Sequence, residues 1–455
     1  MTACQFKPAS PMSFLDYLAV LLTCITGLVL FGAFYFLELG LNPFQPEQIS
    51  LACTGDPTEM MVTWVTFSPT VNPTVEYNVH GEPLRFNAAG TMTKFKDGGW
   101  LHRVLYIHRT KLTGLKPDQS YDYRCGGDDL WSEMYTFKTL RSGEDWSPRI
   151  ALYGDMGTDG QSLSLLTSEA LNGNFDVILH VGDFAYNMDS DNARIGDKFM
   201  NQIQPIAARI PYMTCPGNHE TAYNFSNYKN RFSMPSDDMF YSWNIGPAHI
   251  ISISTEFYFF YREYGSEQIA NQYKWLEADL KEATKKSNRA KRPWIITMGH
   301  RPMYCSNADG DDCTQNESKV RTGLNSKYGL EDLFYKYGVD LMVWAHEHSY
   351  ERLYPVYNRK LCRSPLENAY INPCAPVHII TGSAGCKEHH DAFKPKYGPW
   401  TAYRALDYGY TRMKIHNKTH LYMEQVSVDK GGKIIDNVWI TKHHHGPGAW
   451  IIPMK

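Results

Sequence analysis

Seven side chains able to bind a metal fall in five short clusters: Gly154-Asp155-Met156-Gly157, Gly182-Asp183-Phe184-Ala185-Tyr186, Gly217-Asn218-His219-Glu220, Gly299-His300 and Ala345-His346-Glu347-His348. Asp155 and Asp183 supply hard oxygen, which suits trivalent iron or divalent manganese. Tyr186 adds a phenol. Deprotonating it near neutral pH needs strong local positive charge, because its free pKa is about 10; a bound trivalent ion supplies that charge. Asn218 offers a neutral amide oxygen, and His300, His346 and His348 offer imidazoles. One residue separates His346 from His348; just past a strand end the backbone turns, so the two rings can face different ions. Such a set can hold two metal ions that share one Asp. A metal pair of this kind clamps both the attacking and the leaving oxygen of a phosphoryl displacement.

Each residue alone has a plainer reading. Asp155 reads as a turn residue, Asn218 and His219 as a turn after Pro216-Gly217, His300 as a satisfied core histidine, and His346 with His348 as a polar strand end. What favours the metal reading is their joint occurrence, each cluster directly after an apolar run. The C-terminal ends of such strands line one edge of an open α/β sheet, where ligands bind.

The elements that must carry these clusters follow from the hydrophobic pattern. Between residues 149 and 153 and between 175 and 181 the chain reads as buried strands, with a crossover helix over 161–171. A strongly amphipathic helix is predicted over 267–286, a strand over 294–298, a helix over 327–337 and a strand over 339–344. This is the βαβ rhythm of a mostly parallel sheet. Residues 411–416 and 421–428 predict a closing antiparallel hairpin. Ahead of this region the texture differs. From about 42 to 140, short period-two runs such as 60–66, 74–79, 103–107 and 120–125 are separated by Pro83, Gly90, Gly98, Gly99 and Pro117. Regular short strands with such punctuation indicate an all-β sandwich, with Tyr121 and Tyr123 facing inward. The boundary falls near 141–148.

The 455 residues suit two domains, and 43% hydrophobic with 20% charged residues is ordinary for a folded protein. A formal charge of -3 and the lack of a long basic run give no field for nucleic acid. Tyr17 to Leu37 carries no charged residue and is long enough to span a bilayer. It reads equally as a signal anchor or a cleaved signal peptide, and either one sends the rest of the chain into the secretory pathway: secreted, lysosomal or membrane-anchored through residues 17–37. Asn224, Asn316 and Asn417 head glycosylation sequons. Eight of the ten cysteines follow the apolar segment. Cys305 with Cys313, flanking a polar loop, is the first expected disulfide, and Cys362 with Cys374 the second.

The five clusters resemble the signature of the metallophosphoesterases, and a Tyr three residues after the second Asp marks the purple acid phosphatase variant. The chain is similar to the long animal form of that family over roughly 43–439, including His300-Arg301-Pro302-Met303-Tyr304-Cys305 and Trp344 to Arg352. The resemblance implies an α/β metallophosphoesterase sandwich of mixed sheets flanked by helices, preceded by a fibronectin-III-like β-sandwich. The expected divisions are 1–41 (signal or anchor), 42–140 (sandwich), 147–440 (catalytic) and 441–455 (tail). It also implies Fe3+ held by Asp155, Asp183, Tyr186 and His348, and a divalent Fe, Zn or Mn ion held by Asn218, His300 and His346, with Asp183 bridging. Two departures are small: Ala345 stands where Gly is usual and Thr297 where Val is usual. The third concerns substrate. Plant relatives carry a His pair after the fourth cluster, and residues 306–315 contain no His.

The expected activity is hydrolysis of small phosphomonoesters at acidic pH by a metal-activated hydroxide. His219 binds phosphate or protonates the leaving group, and Arg301 and Tyr304 are candidate phosphate contacts. The alternatives are a phosphodiesterase or nucleotide-hydrolysing enzyme on the same core, and a non-enzymatic cell-surface protein that binds through its sandwich.

Overall fold

The computed structural model describes residues 13–38, 42–127, 130–236, 238–362, 368–396 and 398–446. The expected N-terminal and C-terminal segments extend beyond these, so residues 1–12, 39–41 and 447–455 lie outside the described part. The apolar segment forms one helix, Phe14–Glu38. Its described side chains, Phe14, Leu15, Leu18, Leu21 and Leu28 among them, are exposed. Among the described residues, no helix is long and apolar enough to cross a membrane.

The first domain is the expected β-sandwich. The runs at 60–66, 74–79, 103–107 and 120–125 become strands Met60–Thr66, Thr74–Val79, Val104–Leu112 and Ser120–Gly127. They divide between a four-stranded sheet, built on Met60–Thr66 and Val104–Leu112, and a second sheet built on Thr74–Val79 and Ser120–Gly127. Period-two alternation turns Trp64, Val75, Tyr121, Tyr123 and Phe137 into one core. The sandwich docks on helix Arg194–Ala207 of the second domain, on Ala208 just after it and on Arg231 through buried bonds. Gln48 Nε2 donates to Asp197 Oδ1 (3.0 Å), Arg231 Nη1 donates to Gln48 Oε1 (2.8 Å), and Tyr123 Oη donates to the Ala208 carbonyl (2.7 Å).

The second domain departs from the single, mostly parallel sheet that its rhythm predicts. It has two mixed sheets, as the family resemblance implies. One has six strands, in the order Tyr212–Cys215, Val177–Val181, Arg149–Tyr153, Gly409–Ile415, His420–Ser427, Lys433–Thr441. The first three are parallel and the rest antiparallel. The other has seven strands, and its centre runs parallel through Ala248–Ser252, Trp294–Met298, Leu341–Trp344 and Val377–Thr381. The near-continuous apolar strands explain the arrangement, because each sheet must be covered on both faces. Ile150, Leu152, Leu179, Val181, Ile296, Met298, Leu341 and Val343 belong to a core shared by the two sheets. Alternate residues Ala151, Tyr153, Ile295, Met342 and Trp344 turn to the helical layers, meeting Leu166, Phe199, Leu276 and Leu333. The crossover helices appear as Leu163–Leu171, Glu267–Ala283 and Leu330–Tyr337. Order continues past the expected boundary at 440: the Lys442 ammonium is buried on Asp340, and His445 Nε2 bonds the Lys418 carbonyl at 2.8 Å.

Candidate metal centre

Parallel pairing aligns three of the clusters at strand ends of the six-stranded sheet and two at strand ends of the seven-stranded sheet, and the two groups meet. Strands ending at Tyr153, Val181, Cys215, Met298 and Trp344 release Asp155, Asp183 with Tyr186, Asn218, His300, and His346 with His348. The loops are tight. Gly217 lies so close to Asp183 that a Cβ there would be 2.2 Å from Oδ1, and one on Gly182 (φ +83°) would be 2.5 Å from His300 Nδ1. Four of the candidate ligands adopt left-handed backbone: Asp155 (φ 60°), Asp183 (52°), Tyr186 (55°) and His346 (70°). Such residues cost on the order of 1–3 kcal/mol each and persist where the surroundings over-determine them.

One set of atoms converges on His300. Its Nε2 is 3.2 Å from Asp183 Oδ2, 3.1 Å from Asn218 Oδ1 and 3.2 Å from His346 Nδ1. The other ring nitrogen, Nδ1, is 2.9 Å from the Val181 carbonyl. A carbonyl only accepts, so Nδ1 carries the proton and Nε2 keeps its lone pair for a cation. Ligands about 2.1 Å from a tetrahedral ion stand about 3.4 Å apart, so this donor set fits one.

A second set gathers on His348. Its Nδ1 is 2.9 Å from the His389 carbonyl, which again leaves Nε2 free. That Nε2 is 2.7 Å from Tyr186 Oη and 3.6 Å from Asp155 Oδ1, and Tyr186 Oη is 3.3 Å from the same carboxylate oxygen. Both carboxylates and His300 are fully buried. Burial, with the Asp155 and Asp183 charges, raises the Tyr186 phenol well above its ordinary value. Burial also raises Asp155, and Asp183 adds to this against the opposing pull of His300. Buried groups this crowded with negative charge need a cation beside them, so the chemistry of both sets fits metal ions.

Several residues that order the site had no signal in the sequence. Glu220, fully buried, accepts from the backbone N–H groups of Asp183 (2.9 Å), Phe184 (3.0 Å) and Gly217 (2.8 Å), and so clamps two ligand loops together. His346 Nε2 is 2.5 Å from Asp311 Oδ2 and 2.8 Å from Arg301 Nη1. Arg301 also reaches Asp311 (3.4 Å), donates from Nε to Glu256 (3.0 Å) and stacks over Phe259. The loop that lacks a His pair therefore presents Asp311 instead. Cys386 places its Sγ 3.5 Å from His348 Nδ1 and donates its N–H to the Asp155 carbonyl. Polar residues on short loops carry no periodicity, and only their nearness in sequence to a cluster would have drawn attention to them.

His219 lies beside the centre, with Nδ1 2.9 Å from Asn187 Oδ1 and Nε2 3.9 Å from Asp183 and 3.6 Å from Glu388. Arg301 flanks the centre, as described. Tyr304 does not fit the expectation of a phosphate contact: it is fully buried, its hydroxyl bonds Glu331 and accepts the Arg359 N–H (3.0 Å), and its ring packs on Trp400 and His378. An aromatic ring after a strand end was absorbed by the core. Asn224, Asn316 and Asn417 are all exposed. Both expected disulfides are present, Cys305–Cys313 and Cys362–Cys374.

The chain matches known proteins over most of its length. Residues 46–139 match the model of the purple acid phosphatase N-terminal domain, 148–350 that of the calcineurin-like phosphoesterases, and 375–437 that of the iron/zinc purple acid phosphatase-like C-terminal region. The chain is 57% identical to acid phosphatase type 7 of Mus musculus, over 87% of this chain and 91% of that protein. It is 55% identical to acid phosphatase type 7 of Homo sapiens, over 92% and 96%. The fold matches a purple acid phosphatase from yellow lupin seeds with a TM-score of 0.74 at 24% identity, covering 88% of this chain and 75% of that one. With relatives of this identity spanning most of its length, the chain belongs to the purple acid phosphatase family of metallophosphoesterases.

Proposed function

We propose that this chain hydrolyses phosphomonoesters at acidic pH with Fe3+ held by Asp155, Asp183, Tyr186 and His348, and divalent iron, zinc or manganese held by Asp183, Asn218, His300 and His346. The family makes it a metal-dependent phosphatase with a dinuclear centre, acting on small phosphorylated substrates. The observation that carries the assignment of ligands is the convergence of Asp183 Oδ2, Asn218 Oδ1 and His346 Nδ1 within 3.2 Å of His300 Nε2, a nitrogen kept free by the Val181 carbonyl. Bound there, the metal pair would neutralise phosphate charge and lower the pKa of a water to about 7 or below.

The chain's own residues do the rest. Asn187 orients His219 through Nδ1, which leaves Nε2 facing the centre. Protonated there, Nε2 donates its proton to the leaving oxygen as the bond from phosphorus to that oxygen breaks. Asp311, itself reached by Arg301, holds His346 from behind. Glu220 holds the loops of Asp183 and Asn218 in register. The exposed sequons and the two disulfides support a secretory location, with the apolar N-terminal segment as its targeting signal.

Turnover of p-nitrophenyl phosphate and bis(p-nitrophenyl) phosphate across the acidic range tests the activity. The monoester is expected to be preferred by kcat/KM. Equal or better diester turnover would replace this reading with a phosphodiesterase.

A further inference from the structure

Outside the two ligand sets, three carboxylates meet, with the His348 ring 3.7 Å from one of them, Asp391. Asp309, Glu347 and Asp391 each bring an oxygen within 4.8 Å of the others. Asp309 comes from the loop closed by Cys305–Cys313, Glu347 from between His346 and His348, and Asp391 from the segment that returns over His348. Glu347 is fully buried, and its Oε2 has no hydrogen-bond partner. Its Oε1 rests 3.0 Å from Cys313 Sγ, a disulfide sulfur that has no proton to give. Asp391 Oδ2 accepts the His348 N–H at 2.6 Å, and Asp309 Oδ1 accepts the Asp311 N–H at 3.1 Å. Among the described residues no Lys or Arg is bonded to any of the three.

A buried, unpartnered carboxylate is costly: leaving such a group unmet costs more than a hydrogen bond contributes. Only oxygen is on offer. An all-oxygen, flexible, partly open set suits calcium, which takes six to eight oxygens and fills the remainder with water, better than zinc or copper. The exposed position of Asp309 leaves an entry path.

We propose that Asp309, Glu347 and Asp391 form a third cation site, for a hard divalent ion such as calcium, distinct from the dinuclear centre. An ion there ties the disulfide loop, and with it Asp311, to the turn that presents His346 and His348.

The test is equilibrium dialysis of the full metal-loaded enzyme against radioactive calcium, with iron and zinc measured in the same samples. One calcium per chain is expected, with a Kd of about 10⁻⁴ to 10⁻³ M, the range of extracellular calcium modules. Asp309→Asn and Glu347→Gln should each weaken it at least tenfold while the iron and divalent content stays unchanged. Wild-type protein that takes up no calcium would overturn the proposal, as would uptake unaffected by Asp309→Asn, or calcium gained in step with loss of another metal. Asp309 lies at the surface, so that variant decides the matter even where Glu347→Gln fails to fold.

Discussion

Asp311 is the residue whose removal should separate metal retention from folding. Its Oδ2 is 2.5 Å from His346 Nε2, and Arg301 Nη1 shares the same oxygen at 3.4 Å. Nδ1 of His346 faces His300 Nε2 at 3.2 Å, so binding a cation there needs Nδ1 unprotonated and places the proton on Nε2. Asp311 then fixes both the tautomer and the ring plane. In the Asp311→Asn variant the amide can still accept one hydrogen bond but brings no charge, and Arg301 keeps only Glu256 as a counter-ion. Outer partners of metal-bound histidines typically account for 10- to 100-fold in metal affinity or activity, or about 1.4–2.7 kcal/mol. The carboxylate is one-quarter exposed, and a partly exposed loop position of this kind adds little to global stability. The variant should therefore unfold at nearly the wild-type urea concentration yet lose its divalent ion to a chelator at 10- to 100-fold lower concentration, with iron retained. Unchanged chelator resistance would refute the orienting role. Equal loss of both ions, with a fallen unfolding midpoint, would show instead that Asp311 supports the loop as a whole.

Three further outcomes follow from the geometry. His219→Ala should keep both metals and lose about 10²- to 10⁴-fold in kcat; the loss should be greater for an alkyl phosphate, whose leaving oxygen needs the proton, than for p-nitrophenyl phosphate, and equal losses would remove the general-acid role. Glu220→Ala orphans three buried N–H groups and should lower stability by about 3 kcal/mol or more in urea unfolding, with metal content falling alongside; near-wild-type stability would show that water replaces the carboxylate. His378 is buried, and burial holds its imidazole neutral down to about 3. The unfolded chain takes up that proton below about pH 6.5 and the folded chain does not. Stability from this group is thus whole above pH 6.5 and is lost as pH falls towards 3, by about 2 kcal/mol at pH 5. His378→Gln should flatten the fall in urea midpoint between pH 7.5 and 5, and identical pH slopes would contradict it.

How much of this was legible in the sequence depends on how each feature is encoded. The strand ends were legible because an apolar run is a strong period signal and a Gly-Asp or Gly-His step breaks it. The inward Tyr121 and Tyr123 follow from strand alternation in the same way. The division of the catalytic domain into two sheets was not readable from rhythm. Both sheets are built of the same buried runs, and only pairing decides which strand joins which. The left-handed backbone at Tyr186 and His346 has no local signature either, since neither is glycine and the strain is imposed by neighbours distant in sequence. The roles of Asp311, Glu220 and Glu347 were illegible for a further reason. A carboxylate on a loop looks solvated until the fold buries it, as it does fully for Glu220 and Glu347. Tyr304 errs in the opposite direction, a polar tip near a ligand that the core claimed through Glu331 and Trp400.

The central claim is a dinuclear centre with an iron-bound phenolate at Tyr186. It is tested most directly by elemental analysis and a visible spectrum of the secreted protein beside its Tyr186→Phe variant. Two metals per chain including iron are expected, with a broad visible band that disappears in the variant while the metal content largely remains. Protein without metal, two metals without iron, or a band that survives Tyr186→Phe would contradict it.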